Sequence, residues 1–437
     1  MTGPFKLLLI GDSDSQLLAC EALCRFPSEL NVQVTINAIP RDGTPDAILQ
    51  RAAAIGELWR LEMGQLLTHP ELHHFDAIGV YLTGSKISDF RQALGLLPSR
   101  ERPLLFCGFN GVVLEKFMEG MSWRLGYDLI CLSGPRDREA LERMLESSPF
   151  SSQRTVLTGL HRQKISDDQL LDQHQRRKQL VFAEQVVMPS NSEDRAEMVR
   201  ILADLARRSP DWEVLIKPRI APGETTFHSI TDHISTTLQQ ALGHPPENMR
   251  FDYRPLPDLL RQARLMATIS STAFFDALDM GCRPLVMADF GINPANGSHV
   301  FAGSGVWRCL DQVEDLDALD RSLPSPNADW LAWMGYGTNL DPVELIEALR
   351  QLRADPPEHL SKKAGYLSNA NLSFTQLRRD AEQAIGQKNW KEAQSLLQLG
   401  SLMRPTHRNV ARRLQAVQHR NRIIRRLLLS VTYRDVG

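Results

Sequence analysis

An α/β fold of two doubly wound units facing a cleft, followed by a helical appendage, is what this sequence predicts, and three observations predict it. Short apolar runs alternate with amphipathic stretches twice along the chain. Such runs are strands buried on both faces, and the helices between them make the sheets parallel. The 437 residues exceed what one core holds, so two domains are expected. After about Asp355 the strand signal stops and only helical patterns remain. The expected division is residues 1–160 for the first domain, 161–178 for a linker, 179–354 for the second and 355–437 for the appendage.

In the first unit, expected strands are Lys6–Ile10, Val32–Ala38, Ala77–Leu82, Leu104–Cys107, Tyr127–Leu132 and Thr155–Leu160. Helical patterns cover Ser15–Phe26, Asp46–Leu67 and Arg136–Glu146. His161–Lys178 is polar, rich in Gln, Asp, Arg and Lys, and reads as the linker. A second alternation follows: strand Leu180–Ala183, helix Glu193–Arg208, strand Val214–Lys217, helix Leu256–Arg264, strand Leu265–Ile269, helix Thr272–Met280 and strand Pro284–Ala288. Each alternation is Rossmann-like. In the appendage, Leu372–Ile385 and Trp390–Leu402 form a helix pair, and one basic amphipathic helix is expected from about His407 to Ser430. Asn389 to Ala393 resembles the start of a tetratricopeptide-type helix, but one unit makes no array.

Composition narrows the class. The chain is 42% hydrophobic and 23% charged with a net charge of −2, so no global field points to nucleic acid. No apolar run approaches the roughly 20 residues that span a bilayer. Leu7–Ile10 runs straight into polar Gly11-Asp12-Ser13-Asp14-Ser15, as a first strand does and a signal peptide does not. Six scattered cysteines make no C-x-x-C pair, so a cytoplasmic, reducing setting is expected and a zinc or disulfide framework is not.

The strongest chemical signal runs from Ser270 to Pro284. A strand ends at Ile269, Ser270, Ser271 and Thr272 follow, and a helix begins there, so its first-turn N–H groups are open to phosphate. Asp276 lies one turn in, placed for ribose hydroxyls. Gly281 ends the helix and Pro284 opens the next strand. Lys217 and Arg219 close another strand, where ligands of α/β sheets bind, and offer phosphate a point charge and a bidentate fork. Glu224 and His228 sit in the polar loop after them. Gly303 and Ser304 form a small-residue turn that can serve as a phosphate nest or as a plain turn. Asp289-Phe290-Gly291 repeats a kinase metal-binding triplet, but no kinase Gly-rich or catalytic loop accompanies it.

These motifs carry a resemblance. The acidic-Ala-x-x-x-Gly-x-Pro helix from Asp276 to Pro284 resembles that of GT-B glycosyltransferases, with Asp where the superfamily usually has Glu. The Ser270-Ser271 pair is similar to the phosphate-contacting serines of CMP-sugar users such as sialyl- and Kdo-transferases, whose His-Pro pair is replaced here by Lys217-Pro218-Arg219. A closer resemblance is to a bacterial glycosyltransferase family of unassigned substrate. It rests on Val181–Gln185, Ile216–Arg219, Pro222–His228, Asp289–Gly291 and Phe301–Gly305, covers roughly residues 180–306 and reaches weakly to Gly11–Ser15. The resemblance implies transfer of a sugar from a nucleotide-sugar donor to a glycan or lipid-linked acceptor, as in polysaccharide biosynthesis.

In that reading the first domain supplies acceptor contacts and a base. A carboxylate after the first strand is placed to take the acceptor proton; Asp14 is preferred over Asp12, with Asp12 or Ser13 equally able to cap the next helix. Ser13, Thr83 and Asn110, all after strands, line the acceptor side. Gly-Asp-Ser also opens some esterases, but the distant Asp-x-x-His they need is absent. Basic side chains and a helix N-terminus would stabilise the leaving phosphate, so no metal or cofactor is called for. The alternatives are a nucleotide-sugar 2-epimerase of the same fold and a non-catalytic nucleotide- or sugar-binding partner. The basic last helix adds an expected weak, peripheral contact with the inner face of an anionic membrane.

Overall fold

The computed structural model describes residues 3–40, 44, 46–82, 84–94, 102–112, 117–146, 153–160, 165–186, 188–219, 233–337, 342–355, 374–403 and 407–432. The chain forms two compact units, Met1–His161 with Ala332–Gly437, and Arg162–Leu331.

In unit 1, strands β1 (Phe5–Gly11), β2 (Val32–Ala38), β3 (Glu57–Trp59), β4 (Ala77–Tyr81), β5 (Leu104–Cys107), β6 (Leu129–Leu132) and β7 (Thr155–Leu157) make one sheet in the order β3-β2-β1-β4-β5-β6-β7. Every pairing is parallel. The order reverses between β1 and β4, the switch point at which ligands of Rossmann sheets bind. Helices α1 (Asp14–Leu23), α2 (Asp46–Ile55), α3 (Met63–Leu67), α4 (Ser85–Leu94), α5 (Phe117–Ser122) and α6 (Pro135–Glu146) connect the strands. Alternate residues of β1 face opposite layers: Leu8 and Ile10 belong to one buried cluster, Leu7 and Leu9 to the other.

The expected single helix over Asp46–Leu67 is broken into α2, β3 and α3. Gly56 is the reason. A Cβ there would stand 2.2 Å from the Val34 carbonyl oxygen. Lacking one, the chain turns onto β2 and pairs Glu57–Trp59 with Thr35–Asn37.

In unit 2, β8 (Arg177–Ala183), β9 (Glu213–Lys217), β10 (Met249–Phe251), β11 (Ala263–Thr268), β12 (Arg283–Met287) and β13 (Trp307–Arg308) form a second parallel sheet, ordered β10-β9-β8-β11-β12-β13. The switch point lies between β8 and β11. Helices α7 (Ser192–Arg208), α8 (Ile234–Leu242), α9 (Leu256–Leu260), α10 (Ala273–Asp279) and α11 (Leu316–Ser322) accompany it, and α12 (Ala328–Trp333) lies at its boundary. The expected helix Leu256–Arg264 stops at Leu260, because Ala263 onward pairs with β8.

Two boundaries differ from expectation. The second unit ends at Leu331 rather than 354, and the helices after 355 do not stand apart. A parallel sheet needs cover on both faces. Helix α13 (Pro342–Ala354) places Leu345, Ile346, Leu349 and Leu352 in the cluster that holds Leu7, Leu9 and Phe106; each such burial contributes about 1.5–3 kcal/mol. Helices α14 (Phe374–Gly386), α15 (Trp390–Met403) and α16 (Arg408–Gln418) add Leu377, Leu396 and Val417 to the cluster on the other face, with Ile10 and Val80. The expected linker is also not a free tether. Arg176, 3% exposed, donates to the carbonyls of Leu171, Leu260, Ala263 and Met280, tying the segment into unit 2.

The expected continuous helix from His407 divides into α16 and α17 (Arg422–Thr432). Asn421 causes the break: its Oδ1 accepts from the N–H groups of Ile423 at 2.9 Å and Ile424 at 3.3 Å, capping a new helix start.

Candidate functional site at the strand ends of unit 2

At the switch point of unit 2, three neighbouring strands deliver polar residues to one end of the sheet. β8 delivers Glu184 and Gln185, β9 delivers Lys217 and Arg219, and β11 delivers Ser270 and Ser271. Side-chain hydrogen bonds join these ends. Gln185 Oε1 accepts from the Ser270 N–H at 2.9 Å, and Gln185 Nε2 meets Ser270 Oγ at 3.2 Å. Thr268 Oγ1 donates to the Ala183 carbonyl at 3.3 Å and accepts from the Ser271 N–H at 3.3 Å.

Glu184 is the anchor of the cluster. Buried at 7% exposure, it pairs with Arg195 of α7 at 3.0 Å. Its other oxygen accepts from the Arg219 backbone N–H at 3.2 Å. One buried carboxylate thereby fixes the chain direction after β9 and leaves the Arg219 side chain in solvent. Lys217 is half-buried, and its Nζ donates to the Pro218 carbonyl at 2.7 Å. An exposed guanidinium beside a half-buried ammonium is suited to an anion such as phosphate.

The helix after β11 is short, and its start differs from the expected cap. Thr272 occupies the cap position with no side-chain cap bond. Ser271 Oγ instead accepts from the Ala273 N–H at 3.2 Å, while Thr272 is exposed. Phe274 and Phe275 anchor α10 against Phe301 and Trp330, with ring centroids 5.2 to 6.3 Å apart. That packing turns Asp276 outward. Its residue surface is open, yet partial desolvation by the surrounding protein, helped by the charge of Asp279, raises its pKa to about 6. Gly281 closes the helix at φ +70°, where a Cβ would lie 2.5 Å from the Arg176 guanidinium. The expected glycine terminator is met, with a second cause the sequence did not disclose.

Other residues that stand out in the sequence fall elsewhere. Ser304 is fully buried; its hydroxyl accepts from the Val306 N–H at 3.3 Å and its carbonyl from the Asn327 N–H at 2.8 Å. It holds a turn and has no face for a ligand. A Cβ on Gly303 would lie 2.7 Å from the Trp330 ring, so this glycine permits packing. Asp289 uses both carboxylate oxygens on the N–H groups of Leu310 and Asp311, each at 2.9 Å, and so caps a turn. Glu224, His228 and Thr83 lie outside the described residues.

At the switch point of unit 1, Asp12 is buried at 3% exposure and paired with Lys86 of α4 at 2.5 Å. Its backbone N–H donates to Gln16 Oε1 at 2.6 Å. Ser13 is the cap residue of α1 but makes no side-chain cap bond, and Asp14, in the first turn, is exposed. After β5, Asn110 has a buried Oδ1 with no hydrogen-bond partner among the described residues. Asp12, Asp14 and Asn110 thus share the C-terminal end of this sheet. Sequence reasoning missed Glu184, Gln185 and Arg195, and it placed Lys86 only in a loop lining the acceptor side, not as the partner of Asp12. The first two stood in a quoted motif, immediately after a strand, and that position was the available signal.

Among the described residues, no three His, Cys, Asp or Glu side chains gather where they could hold a metal ion. No helix there is long and apolar enough to cross a membrane.

Two Rossmann-ordered parallel sheets in one chain, the second with a basic strand-end cluster, define a two-unit α/β protein. Residues 7–352 match the family described as "Putative glycosyltransferase (DUF6716)", and the chain belongs to it. No curated protein matches it. Solved structures with a similar chain course include a putative UDP-N-acetylglucosamine 2-epimerase from Listeria monocytogenes, at 15% identity and TM-score 0.49, covering 81% of this chain and 97% of that one. MurG from Acinetobacter baumannii is similar at 9% identity and TM-score 0.44, over 80% and 100% of the two chains. A UDP-GlcNAc 2-epimerase from Neisseria meningitidis, bound to UDP-GlcNAc, is similar at 13% identity and TM-score 0.45, over 87% and 100%. The architecture here rests on the two strand orders.

Proposed function

We propose that the protein transfers a glycosyl group from a nucleotide-sugar donor to a hydroxyl of a glycan or lipid-linked acceptor. The observation that supports this most is the strand-end cluster of unit 2, in a chain of a glycosyltransferase family. In this reading Lys217 and Arg219 neutralise the departing phosphate, Ser271 and Thr272 contact it, and Asp276 accepts from the ribose hydroxyls. The bond from acceptor oxygen to the anomeric carbon forms as the bond from that carbon to phosphate breaks. The acceptor proton passes to Asp14, the exposed carboxylate, whereas Asp12 is held by Lys86 and shapes the loop. Charge neutralisation by side chains takes the place of a metal ion, and the serine pair favours a CMP-activated donor.

The test is to incubate the full chain with CMP- and UDP-activated sugars and glycan acceptors, following nucleotide release and the mass of the acceptor. Acceptor-dependent release with a mass gain of one sugar is expected, unchanged by EDTA. Asp14→Asn should lower turnover by about 10²–10⁴, the usual contribution of a general base, with nucleotide affinity unchanged. Release of an isomerised sugar nucleotide with the acceptor untouched would make the protein an epimerase instead. Nucleotide binding with no turnover would make it a binding module.

A further inference from the structure

We propose that the outer face of α17 is a docking surface for an anionic phospholipid bilayer. Of eight large apolar side chains exposed among the described residues, five lie on this one helix: Ile423, Ile424, Leu427, Leu428 and Val431. At about 100° per residue these five span an arc of roughly 140°. Ile423 and Leu427 are 72% and 61% exposed, so the arc is uncovered along its length. The opposite side is already committed. Leu429 is buried in the core cluster, and Arg425 donates to the His419 carbonyl and lies 4.8 Å over the Trp390 ring. The helix therefore cannot roll its apolar arc inward without withdrawing Leu429.

Charge selects the occupant. Arg422 and Arg426 fall on one flank of the arc, and both are exposed. From Ala393 to Arg434 the sequence has nine arginines and no Asp or Glu. A second copy docking by the same face would set arginine rows against each other. A bilayer with acidic headgroups supplies both the opposite charge and the apolar layer, into which such helices sink by about 5–10 Å. This surface lies outside residues 7–352 and stands apart from the glycosyl-transfer reading.

The experiment is sedimentation of the full chain with vesicles of mixed phosphatidylglycerol and phosphatidylcholine, against phosphatidylcholine alone, over a salt series. Binding to the mixed vesicles, released by salt, is expected. Arg422→Gln with Arg426→Gln should weaken partitioning about thirtyfold. Leu427→Gln with Val431→Gln should weaken it about a hundredfold. The replaced side chains are exposed, so the unfolding midpoints should match the parent. Equal pelleting of the parent and both variants would overturn the proposal, as would binding indifferent to lipid charge. So would a dimer in solution that the apolar variant dissociates, with no vesicle binding by the parent.

Discussion

The two sheets share one strand order through their first six positions, yet their switch points are furnished differently. In unit 1 the position after the first strand is Asp12, clamped to Lys86. In unit 2 the equivalent place holds Glu184 and Gln185. There the carboxylate is turned sideways to Arg195 and the Arg219 backbone, and the amide bridges to Ser270. Unit 1 neutralises the buried Asp12 with Lys86 and leaves Asp14 exposed. Unit 2 uses its buried acid to position a basic loop in which Lys217 is half-buried and the Arg219 side chain is exposed. The same topology thus sets up an end whose buried Asp12 is ion-paired beside the exposed Asp14 and a cationic end, which is how one fold carries unlike sites.

The sharpest way to break this comparison is to remove the cationic end. Lys217→Ala with Arg219→Ala should weaken nucleotide binding by on the order of a hundredfold or more, since charge-assisted hydrogen bonds contribute about 1.5–3 kcal/mol each. Calorimetry with CMP and UDP measures it. The matching removal in unit 1, Lys86→Met, should leave that affinity unchanged. Equal losses from both would erase the distinction.

A smaller loss of nucleotide affinity is expected from Glu184→Gln, which acts first on stability. The substitution leaves the half-buried Arg195 without its buried counter-charge, at a cost of up to about 3–5 kcal/mol, the loss seen when one partner of a buried pair is removed. Chemical denaturation should show that loss, and nucleotide affinity should fall as the Arg219 loop drifts. Unchanged stability would mean that Glu184 does not anchor the site.

The smallest effect is one of pH. The pKa of Asp276, about 6 in the folded chain, lies above the ordinary carboxylate value. Folding therefore favours its protonated form, and that contribution to stability is full below the ordinary value and lost as pH rises through about 6. A ribose that needs the ionised form binds better in the opposite sense, so affinity should rise by up to about tenfold between pH 5 and 7 and then level. Asp276→Asn should flatten the curve. A rise that persists in Asp276→Asn would assign the titration to another group.

Much of this was legible in the sequence. The strand ends at Ala183 and Lys217, and that of β11 to within one residue (Ile269 expected, Thr268 found), follow from apolar runs that stop at polar residues, and the terminating role of Gly281 follows from its spacing. What stayed hidden depends on contacts between distant residues. The short strands β3, β10 and β13 have two or three residues each, too few to show a period. Arg176 reads as a linker charge until four carbonyls are seen around it. Ser304 reads as a ligand contact until its burial is seen. Glu184 looks like one more surface acid, since its partner Arg195 comes from a helix face eleven residues later. The late helices gave a clear apolar pattern, but the pattern did not say that α13 to α16 would cover the first sheet while α17 stayed open.

In the proposed function, donor nucleotide is held by the strand ends of unit 2 and not by those of unit 1. Amide hydrogen exchange of the full chain, with and without saturating CMP or UDP, tests it most directly. Slowed exchange is expected at Glu184–Gln185, Lys217–Arg219 and Thr268–Thr272, with Gly11–Leu17 unchanged. Protection centred on Gly11–Leu17, with unit 2 unaffected, would contradict it.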